Sequence, residues 1–356
     1  MAVTIRDIAK RLNLSHSTVS RIINKRDSKF ISPETRERVR QTADELGYRP
    51  NYHARSLQTG RANTLGLVLD KPEPQSEDRF WQSMLTGIST GARVHKYDLL
   101  VIGASKDRSE IERGLEYVLE HRVDALVMPG YLGTIHHSDV LKKSDAPIVF
   151  AAGGLADSPH PSVDLDSGPG IDAAVDYLGG LGHRRLLWFD VELAANSVAA
   201  ERRAAFRAAI ERRALKGVEA ALSSDETIND ERTVEFARRR FPDALTKLPG
   251  ATAVICFNEP TAFGVYAAAA DRGLRVPQDL SVIGFDDIHA TVAAPGMTVV
   301  SHMLYAIGLK AAELAIKLSE NRVSKVKAQP RQVRIAAELI IRQSCAAPQR
   351  VAGPAN

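Results

Sequence analysis

Cysteine is nearly absent. Cys256 and Cys345 are the only two in 356 residues, and they lie too far apart to form a metal knuckle or a disulfide framework, which fits a reducing compartment. Aromatic residues make up only 6%, while Ala, Leu, Val and Ile are plentiful. That mixture suits helices packed on parallel strands better than a β-sandwich. No apolar run approaches the ~20 residues needed to span a bilayer, and Met1 to Asp7 contain no apolar signal core. The expectation is a cytoplasmic protein with no membrane partner. His136, His137 and His160 show no metal-ligand spacing, so no metal and no cofactor is expected.

Positive charge is unevenly spread. The formal net charge is +4, yet residues 1–60 hold 12 Lys and Arg against 6 Asp and Glu. Such concentration in one small segment is the footprint of a polyanion-binding module.

The first sixty residues read as short helices. Thr4 can cap a helix that puts Ile5, Ile8, Ala9 and Leu12 on one face. Asn13 suits a turn, and Leu14 can plug the core. Ser15 then caps a second helix with Val19, Ile22 and Ile23 inward, leaving His16, Ser17, Arg21 and Asn24 pointing out. A helix this short is marginal alone, but as the second helix of a helix-turn-helix it can lie in the major groove. There Arg21 can donate to guanine or phosphate, and Ser17 and His16 can meet base edges. The plainer alternative is a helical hairpin with solvated polar residues.

Ser32, Pro33 and Glu34 mark a third helix start, and Gly47 a stop. Beyond it, Asn51 can cap a helix of barely two turns, too short to stand unaided. Leu57 is an apolar side chain among basic and polar ones, able to wedge into a minor-groove step. The plainer alternative is a linker carrying one apolar residue.

From Leu65 the period changes. Apolar runs at residues 65–69, 99–102, 125–128, 147–150, 186–189, 253–257 and 281–285 alternate with helical stretches. This predicts parallel, doubly wound sheets. Two such series imply two lobes and a cleft beyond the carboxyl ends of the strands. Asp166, Asn258 and Asp286 follow strands, and Arg202 starts a helix that can reach the same crevice. Acids, an amide and an arginine together can satisfy a polyhydroxylated ligand, with Phe80 and Trp81 as a stacking wall. Taken singly, each polar residue is more readily a helix cap or loop residue than a ligand contact, and together at strand ends they point more strongly to a ligand.

Enzyme readings are weak. Gly87 to Gly91 matches G-x-S-x-G, but it lies inside an amphipathic helical stretch with Met84, Ile88 and Ala92 on one face, where no nucleophile elbow forms. Gly168 to Ala173 loosely matches a dinucleotide fingerprint, with Asp190 at the expected distance. Pro169 and the acids Asp164 and Asp166 oppose a pyrophosphate there. No catalytic residue is assigned.

The stretch Thr4 to Arg21, Ser32 to Arg36, Leu46 to Asn51 and Ala54 to Leu57 resembles the lac-repressor/Gal-repressor family of bacterial transcription regulators. So do Gly182 to Arg185, Arg202 with Phe206, Asn258, Val276 to Asp287 and Glu338 to Ser344. The resemblance spans residues 3 to about 344 and implies an all-α helix-turn-helix head on an α/β two-lobe sensor like a periplasmic sugar-binding protein, with two doubly wound parallel sheets. It also implies a homodimer on a pseudo-palindromic double-stranded operator and a sugar-like effector. The implied DNA contacts are Thr4, Ser15, His16, Ser17, Thr18, Arg21, Asn24, Asn51, Tyr52, His53, Arg55 and Leu57. The implied effector contacts are Phe80, Trp81, Asp166, Arg202, Asn258, Asp286 and His302. Departures are Asp78 and Arg79 for Asn-Pro, Ala205 for Gly, Glu259 for Asp and His302 for Gln. Arg79 keeps an anionic effector open.

The domain reading is a head at 1–48, a hinge helix and linker at 49–62, a sensor at 63–344 and a disordered tail at 345–356. Within the sensor, lobe 1 takes 63–163 and 292–322, and lobe 2 takes 164–291 and 323–344.

Overall fold

The structure, a computed structural model, describes residues 3–24, 31–49, 56, 60–69, 79–103, 109–130, 138–153, 158–193, 197–224, 230–323 and 332–349. The chain divides into two compact units, Met1–Asn63 and Thr64–Asn356.

Among the described residues the first unit holds the helices α1 (Ile5–Leu12), α2 (His16–Ile23) and α3 (Pro33–Glu45). At the start of α1 the Asp7 carboxylate accepts from the Thr4 backbone N–H at 2.8 Å and its hydroxyl at 2.7 Å. Asn13 ends that helix at φ 52°, a left-handed conformation that asparagine tolerates. Ser15 and Ser32 cap the next two helices by accepting from Thr18 N–H at 3.0 Å and Thr35 N–H at 3.2 Å. Gly47 adopts φ 66° after α3, and Tyr48 N–H returns to the Ala43 carbonyl at 2.8 Å. That wrap satisfies carbonyls the helix end leaves open. Ile8, Val19 and Val39, one from each helix, are fully buried in a single small core with Ala9, Ile22 and Ala43.

The second unit is two six-stranded sheets. Its strands are β1 (Thr64–Val68), β2 (Asp98–Ile102), β3 (Ala125–Pro129), β4 (Ile148–Ala151), β5 (Ser162–Asp166), β6 (Arg185–Leu193), β7 (Lys216–Ser224), β8 (Ala253–Cys256), β9 (Ser281–Asp286), β10 (Thr298–Ser301), β11 (Gln332–Ala336) and β12 (Glu338–Ile340). Its helices are α4 (Arg79–Val94), α5 (Glu110–Leu119), α6 (Ser138–Lys142), α7 (Ser167–Gly180), α8 (Ser197–Arg212), α9 (Asp230–Lys247), α10 (Glu259–Asp271) and α11 (Leu304–Val323). The first sheet runs β11-β5-β4-β3-β1-β2 and the second β12-β10-β9-β8-β6-β7. All pairs are parallel except β10 with β12. Strands such as β1 and β3 are buried along their whole length, as expected of sheets with helices on both faces.

The chain passes between the sheets three times: between β5 and β6, between β10 and α11, and between β11 and β12. The first and third passages lie side by side, since Ala337 N–H donates to the Asp166 carbonyl at 2.9 Å.

Two expected boundaries need correcting. Residues 298–301, read as lobe 1, are β10, an inner strand of the second sheet whose four residues are all buried. Residues 332–336, read as lobe 2, are β11 at the edge of the first sheet beside β5. Its alternation of Val333 and Ile335 with polar neighbours is an edge-strand pattern that short-range hydrophobicity does not place. The tail is also shorter than read. Residues 345–349 are held on the second sheet: His183 Nε2 donates to the Ala346 carbonyl at 2.9 Å, and Ala346 N–H donates to Ser281 Oγ at 3.1 Å. Just before them, Ser344 Oγ accepts from Thr298 N–H at 2.8 Å and donates to the Val282 carbonyl at 2.5 Å. Residues 350–356 lie outside the described residues.

Gly87 and Gly91 are helical, within α4. A Cβ on Gly87 would sit 2.1 Å from the Tyr305 carbonyl oxygen, and one on Gly308 2.3 Å from that of Met84. The G-x-S-x-G run is therefore a close helix–helix approach of α4 and α11, as read from its periodicity, and glycine is what permits it.

Candidate nucleic-acid interface and effector cleft

On α2 the side opposite the core carries His16, Ser17 and Arg21, all exposed. Ser17 and Arg21 stand one turn apart on the same face. The first turn of α2 contains no acid, so no side-chain charge there repels an anion from the positive end of the helix dipole. The other expected contacts in this unit are engaged locally. Ser15 Oγ lies 2.9 Å from Ser17 Oγ and 2.8 Å from Thr18 Oγ1. Thr4 is bonded to Asp7. Asn24 Nδ2 donates to the Ser20 carbonyl at 2.9 Å, which ties down the end of α2. Asn51, Tyr52, His53, Arg55 and Leu57 lie outside the described residues.

In the second unit, three of the expected cleft residues converge. Arg202 is buried on α8, and its guanidinium lies 3.5 Å from the Phe285 ring centroid and 4.8 Å from that of Phe257. Its Nη1 donates to the Phe257 carbonyl at 2.7 Å, and Nη2 stands 3.8 Å from Asp286 Oδ1. Burial weakens the guanidinium's hold on its proton, and Asp286, Asp190 and Glu201 oppose that effect. His302 Nδ1 donates to Asp286 Oδ1 at 3.0 Å, and its backbone N–H reaches the Asp286 carbonyl at 3.3 Å. His302 belongs to the second passage between the sheets, so this hydrogen bond links the end of β9 to a connection between lobes.

The backbone around this point is unusual. Asp286, Asp287 and Met303 have φ of 89°, 67° and 53°. Non-glycine residues held there store strain of the kind found at ligand clamps and switch regions. Arg342 Nη2 donates to Asp287 Oδ1 at 2.6 Å and fixes the turn from one side.

The remaining expected residues are placed differently. Asn258 Oδ1 accepts from Thr261 N–H at 3.0 Å and Thr261 Oγ1 at 2.6 Å, capping α10. Asp166 Oδ1 accepts from Gly168 N–H at 3.2 Å, capping α7, with Arg334 Nη2 4.0 Å away. Phe80 and Trp81 fall in the first turn of α4, and their side chains lie outside the described residues.

Two buried acids were not singled out as site residues. Asp190 on β6 is fully buried against Arg203 at 2.9 Å; burial raises its pKa, and Arg203 acts against the rise. The signal was an acid following the apolar run 186–189. Glu259, noted only as a departure from the family's pattern, is also buried. His160, among the histidines considered for metal, donates its Nε2–H to the Leu141 carbonyl at 2.8 Å. Among the described residues no cluster of His, Cys, Asp or Glu could hold a metal ion, and no helix is long and apolar enough to cross a membrane.

A helix-turn-helix head with a two-lobe α/β body is the architecture of a DNA-binding transcription regulator with an effector domain. Residues 4–51 match the model of bacterial regulatory proteins, lacI family, and residues 175–345 match the periplasmic binding protein-like domain. The chain thus joins a lacI-family DNA-binding segment to a periplasmic binding protein-like domain. It is 29% identical over 318 residues to catabolite control protein A of Priestia megaterium, covering 89% of this chain and 92% of that one. It is 28% identical over 346 residues to the HTH-type transcriptional repressor PurR of Haemophilus influenzae (strain PittEE), covering 96% and 98%. Its fold matches the lac repressor dimer bound to operator and the anti-inducer ONPF, with a TM-score of 0.72 at 20% identity, covering 98% and 100%. It also matches a complex of the transcriptional regulator CelR with cellobiose, with a TM-score of 0.63 at 24% identity, covering 96% and 99%.

Proposed function

We propose that this regulator is a homodimeric repressor whose operator affinity is set by a small polyhydroxylated molecule bound between the two lobes of its second unit. One observation carries the reading: Arg202, Asp286 and His302 meet where the chain passes between the lobes. A ligand contacting them touches the second lobe and a connection leading to the first, and it shifts the arrangement of the lobes by its differential affinity for the two states. A buried charge pair with aromatic faces offers the mixed donors, acceptors and apolar walls that suit a polyol. The cellobiose carried by the CelR structure supports this class. His16, Ser17 and Arg21 are the proposed base readers, Leu57 the proposed minor-groove wedge, and two heads would meet two half-sites.

The test is a thermal-shift screen of the full chain against neutral sugars, sugar phosphates, sugar acids and nucleosides. A saturable rise in melting temperature with a neutral sugar is expected. Stabilisation by anionic compounds alone would replace the polyol with an anion.

A further inference from the structure

Glu259 is the first residue of α10, next to the cap Asn258. Its side chain does not turn out to solvent, as an acid in a helix's first turn commonly does. It is buried and spans about thirty residues of sequence to a different loop. There Oε1 accepts from Ile288 N–H at 2.7 Å and from Ala290 N–H at 3.1 Å, while Oε2 accepts from His289 N–H at 2.6 Å. The His289 imidazole Nδ1 lies 3.6 Å from Oε2. Three consecutive backbone donors on one carboxylate make a clamp, each bond strengthened by the acceptor's charge and by burial.

The clamped loop begins immediately after Asp286 and Asp287, the two residues held at positive φ. Left-handed aspartates return readily to ordinary backbone conformations unless their surroundings prevent it. Arg342 holds the Asp287 side chain, and Glu259 holds the backbone beyond it. We propose that Glu259 is the positioning residue of the effector cleft: by fixing the 288–290 backbone to the start of α10 it aims the Asp286 carboxylate at Arg202 and His302 and sets its spacing from Asn258. This rests on the cleft reading above, and its test needs no ligand.

The experiment is amide hydrogen exchange on the full chain, compared with Glu259→Gln. Loss of an ionic hydrogen bond raises an opening equilibrium by roughly tenfold or more. The amides of Ile288, His289 and Ala290 should therefore exchange at least about tenfold faster in the variant, with β8 unchanged. The discriminating readout is the His302 amide, which donates to the Asp286 carbonyl. It should loosen too, although it is far from Glu259 in sequence. Release of 288–290 with His302 unaffected would reduce Glu259 to a loop tether and overturn the positioning role.

If Glu259→Gln does not fold, the wild-type pH profile decides. Burial pushes the Glu259 carboxyl up to about 7, helped by Asp286 and Asp287 and opposed by the His289 and Ile288 N–H groups. The charged and titratable groups facing this clamp are Asp286, Asp287, His289 and Arg342. Protection of 288–290, corrected for intrinsic exchange, should fall as pH climbs through that value, because the closed loop holds the Glu259 proton more tightly than the open one, and the same step in His289→Asn assigns it to Glu259. A flat profile would overturn the proposal. A failed sugar screen leaves this result intact, and a failed exchange test leaves the polyol reading intact.

Discussion

The guanidinium of Arg202 lies 3.8 Å from the carboxylate of Asp286, with side-chain exposures of 3% and 14%. A pair this deeply buried is a weak source of net stability but a costly one to break, because the remaining charge is stranded. Asp286 therefore does two things. It neutralises Arg202, and through His302 it touches the passage between lobes.

Asp286→Ala should lower unfolding stability by about 3 kcal/mol, the range for stranding one member of a buried pair. Asp286→Asn should lose less, since it keeps acceptor and shape. Both should lose the ligand-induced rise in melting temperature. Urea denaturation and thermal shift on the same samples separate the two effects.

Arg21 and Ile8 belong to the same small unit but to different jobs. Arg21 is exposed on α2, so Arg21→Ala should leave the melting curve unchanged and reduce discrimination between duplexes by about 1–3 kcal/mol. Ile8 is fully buried between the three helices, and Ile8→Ala should cost about 2–5 kcal/mol, abolishing DNA binding by unfolding the head. Circular dichroism of the isolated 1–63 segment alongside duplex titration checks both.

His183 fastens residues 345–349. Its Nε2–H donates to the Ala346 carbonyl, and Nδ1 lies 2.7 Å from Thr252 Oγ1, a hydroxyl that can donate to the neutral ring. Burial holds its pKa below the usual value. A histidine kept neutral in the fold contributes stability that is complete above the unfolded pKa of about 6.5 and is lost as pH falls below it. Glu259 has the opposite slope: its raised pKa gives stability that is present in acid and is lost as pH rises through about 7. His183→Gln should flatten the acid side of the stability profile and Glu259→Gln the neutral side, read as melting temperature from pH 5 to 8.5.

Gly87→Ala should separate α4 from α11, because its Cβ would meet the Tyr305 carbonyl oxygen at 2.1 Å. Overpacking of this kind costs about 1–3 kcal/mol or more. Ser89→Ala, one face away and exposed, should be silent in thermal unfolding.

Much of this arrangement was legible in the chain. The head's core and caps follow from local spacing, as Ser15, Val19 and Ile22 show, and Asp286 was expected beside Arg202 because strand ends in such sheets face a crevice that a helix residue can reach. What local pattern could not reveal is how a polar residue there spends its hydrogen bonds. Asn258 and Asp166 sit at strand ends and cap helices. Glu259 makes its contacts with a loop far away in sequence, and β11 is short and half polar, so neither has a periodic signature. The lobe limits slipped for a related reason: three passages between sheets are a property of topology, and β10 and β11 are assigned by their partners.

The most direct test is operator affinity with and without the sugar identified by the thermal screen, on a duplex selected from a random library by the full chain, for wild type and for Asp286→Asn. The predicted result is a pseudo-palindromic duplex whose affinity for wild type changes about tenfold or more with the sugar, within the usual range of coupling between sites, and does not change for the variant. An equal ligand effect in both proteins, or no effect on wild type at saturating sugar, would contradict control of DNA binding through this cleft.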